Sequence, residues 1–355
     1  MTETSTKKPK VLYLYAGSRR EFFLKWRKGL VPDTQLLGLN YMRGLGVDAE
    51  FLEWGIAERL RKINFNLVHL PYIFAIRRYD VVFICAGLPL VFLAKCVFGW
   101  KRPKFVIYNT FLTNALKRNP NGFLGHITRK AIENIDTIIC TAKTQKDFLI
   151  TKGFDEKKIV FTPIGIDAEK FSETAQNDSP KENYILSVGR DLGRDYATLF
   201  EAVRDLPIKV VVATKPEAIA GLSTPENVEV RFHVLYEEMP TLYARSLFAV
   251  IPLKDKNPSG SDTSGQYGFL EPMAVGKAVI VSDRTTVRDY IENGRDGILV
   301  PPENPTALRS AIENLLQNPD QANLLGKTAQ RKVLDSFTGK KFAEKLAEIF
   351  KTLAS

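Results

Sequence analysis

The chain has 355 residues, which is enough for two packed α/β domains with sizeable cores. Apolar residues make up 45% and charged residues 25%, an ordinary composition for a soluble globular protein that excludes wholesale disorder. The net charge is +10, but residues 1–160 hold 27 Lys and Arg against 13 Asp and Glu (+14), whereas the rest hold 23 against 27 (−4). This asymmetry indicates either an anionic partner for the N-terminal half or a basic surface that only favours solubility.

Cys85, Cys96 and Cys140 lie in apolar stretches without metal-ligand spacing, so we expect no disulfide framework and a reducing cytoplasm. The polar start, MTETSTKKPK, leads directly into a strand and predicts no signal peptide. The apolar run VVFICAGLPLVFLAKCVFG has the length of a membrane span, but Gly87 and Pro89 interrupt it. A buried strand followed by a helix explains this run better.

Short β-branched runs alternate with helical patterns along the N-terminal half. Strands are predicted in KVLYLYA, VDAEFLEW, DVVFICAG, KFVIYNT and DTIICTA. Helices are predicted in QLLGLNYMRGLG, NGFLGHITRKAIENI and KTQKDFLITKG. Strands that are separated by helices predict a parallel sheet covered on both faces.

The alternation stops over residues 163–182, where a polar stretch with prolines at both ends predicts a linker. It restarts with YILSVG and continues through IKVVVAT, NVEVRF, LFAVIPL, KAVIVS and DGILVP. The predicted fold class is therefore α/β, with two Rossmann-like domains facing a cleft. The end of the chain shows helical patterns only, and its last helix has an apolar face that must be buried: Phe342, Leu346, Ile349, Phe350 and Leu353.

The most informative stretch is NPSGSDTSGQYGFLEPMAVGKAVIVSD. A loop over residues 257–264 leads into a helix with Ser264 as the N-cap and Gly276 at its end. The small residues Ser264 and Gly265 leave the first backbone N–H groups open to an anion such as a diphosphate. Glu271 lies one to two turns into the helix, where its carboxylate can accept hydrogen bonds from two ribose hydroxyls. The alternative is a capped surface helix with an exposed glutamate.

A second stretch, SVGRDLGRDYATLFEAV, places two arginines between a strand and a helix. The strand ends before Gly189, and Arg190 and Arg194 lie on either side of the turn. Two guanidinium groups at the carboxyl end of a strand suit a doubly charged phosphate, which they can bind through paired hydrogen bonds. The alternative is two solvated arginines facing Asp191 and Asp195.

Together these stretches resemble the GT-B fold glycosyltransferases of the large retaining group known as family four, or group 1. VGR…RDYATLFEA resembles that family's Gly-Arg turn followed by a basic residue at the next helix, and GFLEPMAVGKAVIVSD its segment with the ribose-binding glutamate. TPIGIDAEKF is similar to its interdomain stretch, and NGRDGILVPPENPTAL to the strand that follows. The four motifs occur in the family's order and cover nearly all of residues 155–320.

The resemblance implies an N-terminal acceptor-side domain over residues 1–165 and a C-terminal nucleotide-sugar-binding domain over 166–335. It implies that the helix over 336–355 crosses back to the first domain. The expected activity is transfer of a hexosyl unit from a nucleoside diphosphate sugar to a lipid-linked or glycan acceptor, with retention. We expect no metal and no cofactor besides the donor, because cationic side chains and a helix terminus neutralise the leaving group in this fold.

The resemblance also implies roles for particular residues. Arg190 and Arg194 would bind the donor diphosphate and stabilise the departing nucleotide. The other implied donor contacts are Gly17 under the diphosphate, Val234 at the nucleobase, the backbone amides of Ser264, Gly265 and Gln266, and Glu271 at the ribose. His69, His126 and His233 lack metal spacing, and no Asp-x-Asp lies at a strand end.

Three positions depart from the family's pattern. Thr263, with Asp262 beside it, stands where a glutamate usually faces the donor sugar, and Ile164 stands where asparagine is usual. VIYNTFLTN lacks the usual acceptor-side histidine. The missing glutamate and histidine keep open a nucleotide-sugar-binding protein that has lost catalysis. A nucleotide-sugar epimerase of the same fold is a second alternative, although the chain shows few of the acid and base side chains that such an enzyme needs.

The N-terminal charge predicts where the protein acts. The stretches around Trp26 and Phe123 mix Arg and Lys with aromatic residues, which is typical of a segment on an anionic membrane surface. Nothing in the chain resembles a nucleic-acid-binding module. We therefore expect a cytoplasmic enzyme with peripheral membrane contact and no nucleic-acid partner; loops with incidental aromatic residues are the alternative.

Overall fold

The computed structural model describes residues 8–118, 122–176, 182–255 and 263–355. Within these ranges the chain forms two parallel six-stranded sheets, each accompanied by helices, which confirms the predicted α/β class. The chain divides into two compact units. The first takes in the residues up to 29, Asp33–Pro163 and Lys340–Ser355, and the second takes in Leu30–Pro32 and Ile164–Gly339.

The first unit is built on a sheet with the strand order β2-β1-β3-β4-β5-β6. Its strands are β1 (Lys10–Leu14), β2 (Asp48–Phe51), β3 (Val81–Ile84), β4 (Lys104–Tyr108), β5 (Thr137–Cys140) and β6 (Ile159–Phe161). Its helices include α1 (Arg20–Arg27), α2 (Leu39–Met42), α3 (Gly55–Ile63), α4 (Leu88–Phe92), α5 (Leu112–Arg118), α6 (Phe123–Glu133) and α7 (Lys143–Thr151). The central strands are apolar on both faces, as expected of a parallel sheet between helices.

The second unit has the strand order β12-β11-β10-β7-β8-β9. Its strands are β7 (Tyr184–Val188), β8 (Lys209–Thr214), β9 (Val228–Phe232), β10 (Ala249–Ile251), β11 (Val279–Ser282) and β12 (Ile298–Val300). Its helices are α8 (Ala168–Gln176), α9 (Tyr196–Val203), α10 (Met239–Arg245), α11 (Gln266–Ala274), α12 (Pro305–Gln317) and α13 (Pro319–Ser336), and the chain ends with α14 (Gly339–Ala354). The order reverses at β7 and β10, and such a switch point leaves a crevice at the carboxyl ends of the strands.

The long apolar run around residue 90 forms a strand and a helix, as predicted. Buried β3 leads through Gly87 into α4, and a π-helical turn over Leu93–Val97 follows. No helix in the described ranges is long and apolar enough to cross a membrane.

The predicted linker over residues 163–182 is wrong for much of its length, because α8 occupies Ala168–Gln176. The side chain of Asp167 accepts a hydrogen bond from the backbone N–H of Lys170 at 3.1 Å, which caps the first turn. Phe171 is fully buried against Tyr236 and Tyr243, with ring centroids 6.4 and 6.3 Å away. The buried Phe171 therefore anchors a helix whose sequence is mostly polar.

The predicted amphipathic helix in QLLGLNYMRGLG is also interrupted. The chain makes a 3₁₀ turn over Asp33–Leu36 and resumes as the four-residue α2 after Gly38. Gly38 has a φ of 81°, and a Cβ there would lie 2.8 Å from Cβ of Ala343 in α14. The helix is interrupted by left-handed backbone at both Leu37 and Gly38, and the close approach of α14 leaves no room for a Cβ at residue 38.

Helix α14, at the end of the chain, packs on the sheet of the first unit. The Phe350 ring lies 6.0 Å from the rings of both Tyr13 and Phe83, each in an edge-on arrangement. Phe342 meets Tyr108 in the same way at 6.1 Å. The apolar face of this helix thus supplies part of the first unit's core.

Candidate functional site

Helix α11 carries most of the predicted donor-binding residues, but it starts differently from the prediction. It begins at Gln266, and Gly265 occupies the N-cap position with a φ of 101° and no side-chain cap. Ser264 is therefore not the N-cap, and that prediction is wrong. The reason is steric, since only glycine tolerates this φ and a Cβ on residue 265 would lie 2.9 Å from Nη1 of Arg194.

The guanidinium group of Arg194 lies in a socket made of three glycines. A Cβ at Gly268 would lie 2.8 Å from its Nη2, one at Gly265 would meet Nη1, and one at Gly189 would overlap Nε. Arg194 is only 5% exposed, and its Nε and Nη1 donate to no partner in the described part of the chain. Its nearest counter-charge is Asp191, with Nε and Oδ2 3.8 Å apart. A buried cation with unused N–H donors at a helix N-terminus is suited to an anionic ligand.

Arg190 differs from Arg194 in its environment. Its side chain is exposed and donates a hydrogen bond to the carbonyl oxygen of Val234, in the turn after β9. The structure therefore brings two predicted donor contacts, Arg190 and Val234, into direct contact. Arg190 is therefore exposed to solvent, whereas Arg194 is enclosed.

Glu271 lies in the second turn of α11 and is 5% exposed, so the alternative of a surface glutamate is wrong. Its Oε1 accepts a hydrogen bond from the Tyr236 hydroxyl at 2.8 Å, and its Oε2 accepts one from the Tyr243 hydroxyl at 3.3 Å. Burial raises the pKa of Glu271 to about 7, although these hydrogen bonds and the charge of Arg194 act in the opposite direction. When it is ionised, this carboxylate accepts hydrogen bonds from further hydroxyl groups most readily.

The remaining predicted donor contacts on this side flank the start of α11. Thr263 and Ser264 are half-buried, and Gln266 is buried. Asp262 and most of the predicted loop over residues 257–264 lie outside the described residues.

Gly17 lies in the first unit, in the loop after β1, and lines a cavity of about 460 Å³ in that unit. Glu53 fixes this loop by accepting hydrogen bonds from Ser18 Oγ at 2.6 Å and from the backbone N–H of Arg19 at 2.7 Å. The cavity lies at the carboxyl ends of β1 and β2, where parallel sheets place ligand sites.

The three histidines, for which the sequence predicts no metal-binding role, all lie in the described ranges. His69 is buried, with Nδ1 2.9 Å from the carbonyl oxygen of Ala86 and Nε2 3.1 Å from that of Tyr15. Across the described ranges, no group of three His, Cys, Asp or Glu side chains is placed to hold a metal ion.

Sequence reasoning missed Tyr236 and Tyr243, the two partners of Glu271. Tyr243 lies on the buried face of α10, and its helical spacing indicates burial without indicating a polar partner. Tyr236 lies two residues after Val234. This position beside the predicted nucleobase turn was the one sequence feature that could have indicated Tyr236 as a site residue. Neither position shows a motif that would pair it with a glutamate 28 or 35 residues later in the chain.

Comparison with protein families gives a match to the second unit. The model of the family described as glycosyl transferases group 1 matches residues 169–332. This range contains Arg190, Arg194 and Glu271.

Several curated proteins are similar over about two thirds of this chain. An uncharacterized glycosyltransferase of Methanocaldococcus jannaschii is 20% identical over 64% of this chain and 62% of its own length. D-inositol 3-phosphate glycosyltransferase of Corynebacterium urealyticum is 24% identical over 70% and 63%. Alpha-maltose-1-phosphate synthase of Mycolicibacterium smegmatis is 29% identical over 64% and 66%. Each match thus spans less than two thirds of the relative's own length.

Solved structures with the same fold cover nearly the whole chain. Sucrose-phosphate synthase from Thermosynechococcus elongatus superposes with a TM-score of 0.70 at 16% identity, covering 98% of this chain and 99% of that one. Anabaena HepE, in complex with UDP and glucose, has a TM-score of 0.67 at 13% identity, covering 97% and 100%. At these identities the likeness establishes the fold alone.

Proposed function

Because residues 169–332 belong to the glycosyl transferases group 1 family, we propose that this chain transfers a hexosyl unit from a nucleoside diphosphate sugar. The family and the GT-B fold expected from the motifs are both confirmed. The observation that carries the proposal is the buried Arg194 under the N-terminus of α11, with the buried Glu271 in the same helix. This combination offers a cation and backbone N–H groups to a diphosphate and a carboxylate to a ribose.

The donor would use both arginines. Arg194, with unused Nε and Nη1 donors, would face the diphosphate through the glycine-lined start of α11. Arg190 would approach the same phosphates from solvent, and its bond to Val234 would position the turn at the nucleobase. Structures of HepE with UDP-glucose and with UDP support a nucleoside diphosphate sugar as the class of donor.

We propose that the leaving diphosphate needs no metal. As the bond to the sugar breaks, negative charge grows on the departing oxygen, and preorganised cations and N–H dipoles stabilise that charge more than the ground state. Retention of configuration stays a proposal that rests on the family resemblance. It is tested by the anomeric form of the product in NMR spectra.

The acceptor is proposed to be lipid-linked or a glycan. The excess of +14 in residues 1–160 supports a cytoplasmic enzyme in peripheral contact with anionic lipid. Exposed Phe123 and Leu124 at the start of α6 give this half apolar side chains that can enter the lipid interface.

A thermal-shift screen tests the donor assignment. UDP-, GDP-, ADP- and dTDP-sugars are each added to the full chain, and one of them should raise the Tm, since a hundredfold excess over Kd stabilises the fold by about 2.7 kcal/mol. The stabilising donor is then incubated with candidate acceptors, and release of nucleoside diphosphate is measured with product identity. Conversion of the donor into an isomeric sugar nucleotide would identify an epimerase, and binding without any conversion would identify a protein without catalysis.

A further inference from the structure

His69 is a buried ionisable side chain that the donor-binding residues of the second unit do not use. It is 1% exposed and precedes the 3₁₀ turn over Leu70–Tyr72. Its ring lies beyond the carboxyl ends of two strands of the first sheet, on the wall of the cavity that Gly17 also lines. Parallel sheets place their ligand sites at this edge.

The ring of His69 connects two loops that follow neighbouring strands. Nδ1 lies 2.9 Å from the carbonyl oxygen of Ala86, after β3, and Nε2 lies 3.1 Å from that of Tyr15, after β1. The last paired residues of these two strands are Leu14 and Ile84. His69 therefore continues the connection between β1 and β3 beyond the end of their paired residues.

The backbone at Gly87 limits where this ring can lie. Gly87 has a φ of 83°, and a Cβ there would lie 2.6 Å from Nδ1 of His69 and 3.0 Å from its Cβ and Cγ. Only glycine leaves room for the ring at this place. The imidazole thus fits closely against the backbone, with a carbonyl oxygen opposite each nitrogen.

The two carbonyl oxygens can both accept hydrogen bonds only from a protonated ring. A neutral imidazole has one N–H, so its other nitrogen directs a lone pair at a carbonyl oxygen, whereas an imidazolium donates from both nitrogens. Burial lowers the pKa of His69, although the two carbonyl groups act in the opposite direction. At neutral pH the ring is therefore neutral and holds one of the two loops, and a proton would let it hold both.

Burial and the two carbonyl groups, rather than neighbouring charges, set the pKa of His69. The ionisable groups around it are Arg19, Arg20, Glu53, Glu58, Arg61, Tyr15, Tyr72 and Cys85. Glu58 is paired with Arg61, and Glu53 accepts hydrogen bonds from the backbone N–H groups of Arg19 and Arg20. The phenols and the thiol are uncharged, because burial raises their pKa values. Two carboxylates thus stand against three guanidinium groups, a balance that admits an anion.

We propose that His69 is a positioning residue for the donor, which in its protonated form holds the loop after β1 to the loop after β3 while a diphosphate is bound. This inference rests on the proposed function, with the diphosphate at Gly17 in the loop after β1. Negative charge there favours the imidazolium, and the imidazolium in turn attracts the diphosphate. By linkage, donor binding and protonation of His69 strengthen each other by the same factor.

An NMR titration of the histidine rings in the full chain tests this coupling. The probes are inorganic pyrophosphate and the sugar nucleotide that stabilises the fold. Saturation with either should raise the pH at which the His69 ring protonates by about one pH unit, a tenfold change in proton affinity. His126 and His233 are exposed and serve as internal controls. The signals that are missing in His69→Gln assign the His69 ring.

Variants of His69 separate positioning from packing. His69→Gln keeps N–H donors without a titrating charge, whereas His69→Leu keeps only apolar volume. The Kd of the sugar nucleotide for His69→Gln, divided by that for wild type, should rise from about one at about pH 8 to about ten at about pH 5.5. Glu271 and the phosphates titrate in both proteins, so this ratio cancels their effect. His69→Leu should weaken binding at every pH, and its Tm without ligand shows whether it folds.

The outcomes separate the role of His69 from the proposed function. If saturation leaves the protonation of His69 unchanged, or if the Kd ratio does not vary with pH, the positioning role is overturned and the transferase function stands. Coupling to pyrophosphate without binding of any sugar nucleotide would contradict the proposed function and leave the role of His69 standing. Binding of neither ligand would contradict both.

Discussion

The hydroxyl of Tyr236 donates a 2.8 Å hydrogen bond to Oε1 of Glu271, the carboxylate that we assign to the donor ribose. Glu271 is otherwise enclosed, so a ribose hydroxyl would have to take the place of this phenol. Tyr236→Phe should therefore tighten binding of the nucleoside diphosphate by about 0.5–1.5 kcal/mol, the net worth of one hydrogen bond. Isothermal titration of wild type and variant measures this change.

Tyr243→Phe is the control, because Tyr243 also donates to Glu271 but is fully buried. Tyr243→Phe should lower the Tm and should not increase the affinity for the nucleoside diphosphate. If Tyr236→Phe weakens nucleotide binding instead, Tyr236 holds Glu271 in place for the ribose and does not compete with it.

Replacing Glu271 tests the ribose assignment directly. Glu271→Ala should weaken nucleotide binding by about 1.5–3 kcal/mol, since hydrogen bonds to a charged group are lost. Affinity for inorganic pyrophosphate, which has no ribose, should stay unchanged and serves as the internal control. Equal losses for both ligands would show that Glu271 acts on the diphosphate site or on the fold.

The raised pKa of Glu271 gives stability a defined pH dependence. Its pKa is about 7 in the fold and near 4.5 without it, so between these values the native chain binds more protons than the unfolded one. The free energy of unfolding should therefore fall by about 3 kcal/mol as pH rises from about 4.5 to about 7, and then level off. Glu271→Gln should lack this decline, and the difference in Tm between the two proteins across the window measures it. A constant difference would mean that Glu271 ionises normally.

Arg190 and Arg194 should respond differently to removal. Arg190→Ala, at an exposed position, should keep the Tm and lower kcat by about 10²–10³-fold, because charge on the leaving oxygen is greatest in the transition state. Arg194→Ala should lower kcat and also the Tm, because it empties the glycine socket and leaves Glu271 without its cation. Arg204→Ala, another exposed arginine of the same unit, is the control. A loss of donor affinity with normal kcat at saturation would mean that Arg190 only binds.

Membrane docking should depend on the start of α6. Phe123 and Leu124 are 79% and 67% exposed, whereas Trp26 is half-buried with its ring 5.5 Å from Phe23. Replacing Phe123 and Leu124 by Ser should reduce co-sedimentation with anionic liposomes. Leu324→Ser, at a position that is also 67% exposed but in the second unit, should not.

Salt gives the second test of docking. Binding should be lost between 0.1 M and 1 M salt, as the Debye length shrinks from about 10 Å to about 3 Å. Equal pelleting with neutral liposomes would speak against an electrostatic attachment. Absence of pelleting with anionic ones would favour an acceptor that is free in solution.

The sequence predicts most strands of this fold, because parallel strands between helices consist of uninterrupted apolar, β-branched runs such as KVVVAT. It fails where one contact overrides a local pattern. The polar sequence of helix α8 predicts a linker although its Phe171 is buried, and the predicted helix is interrupted at Gly38, where α14 lies against the chain. The site shows the same limit, since motifs indicated Arg194 and Glu271 but not the tyrosines that contact the glutamate.

The return of α14 to the first unit has a consequence for the order in which the chain folds. All strands of the first sheet precede residue 164, yet Phe342 and Phe350, which complete its core, follow the whole second unit in the sequence. The second unit is nearly continuous in sequence and can therefore mature during translation. The unit that is made first is thus completed only after the second unit, and until α14 has been synthesised it exposes an apolar sheet face that invites chaperone binding or aggregation.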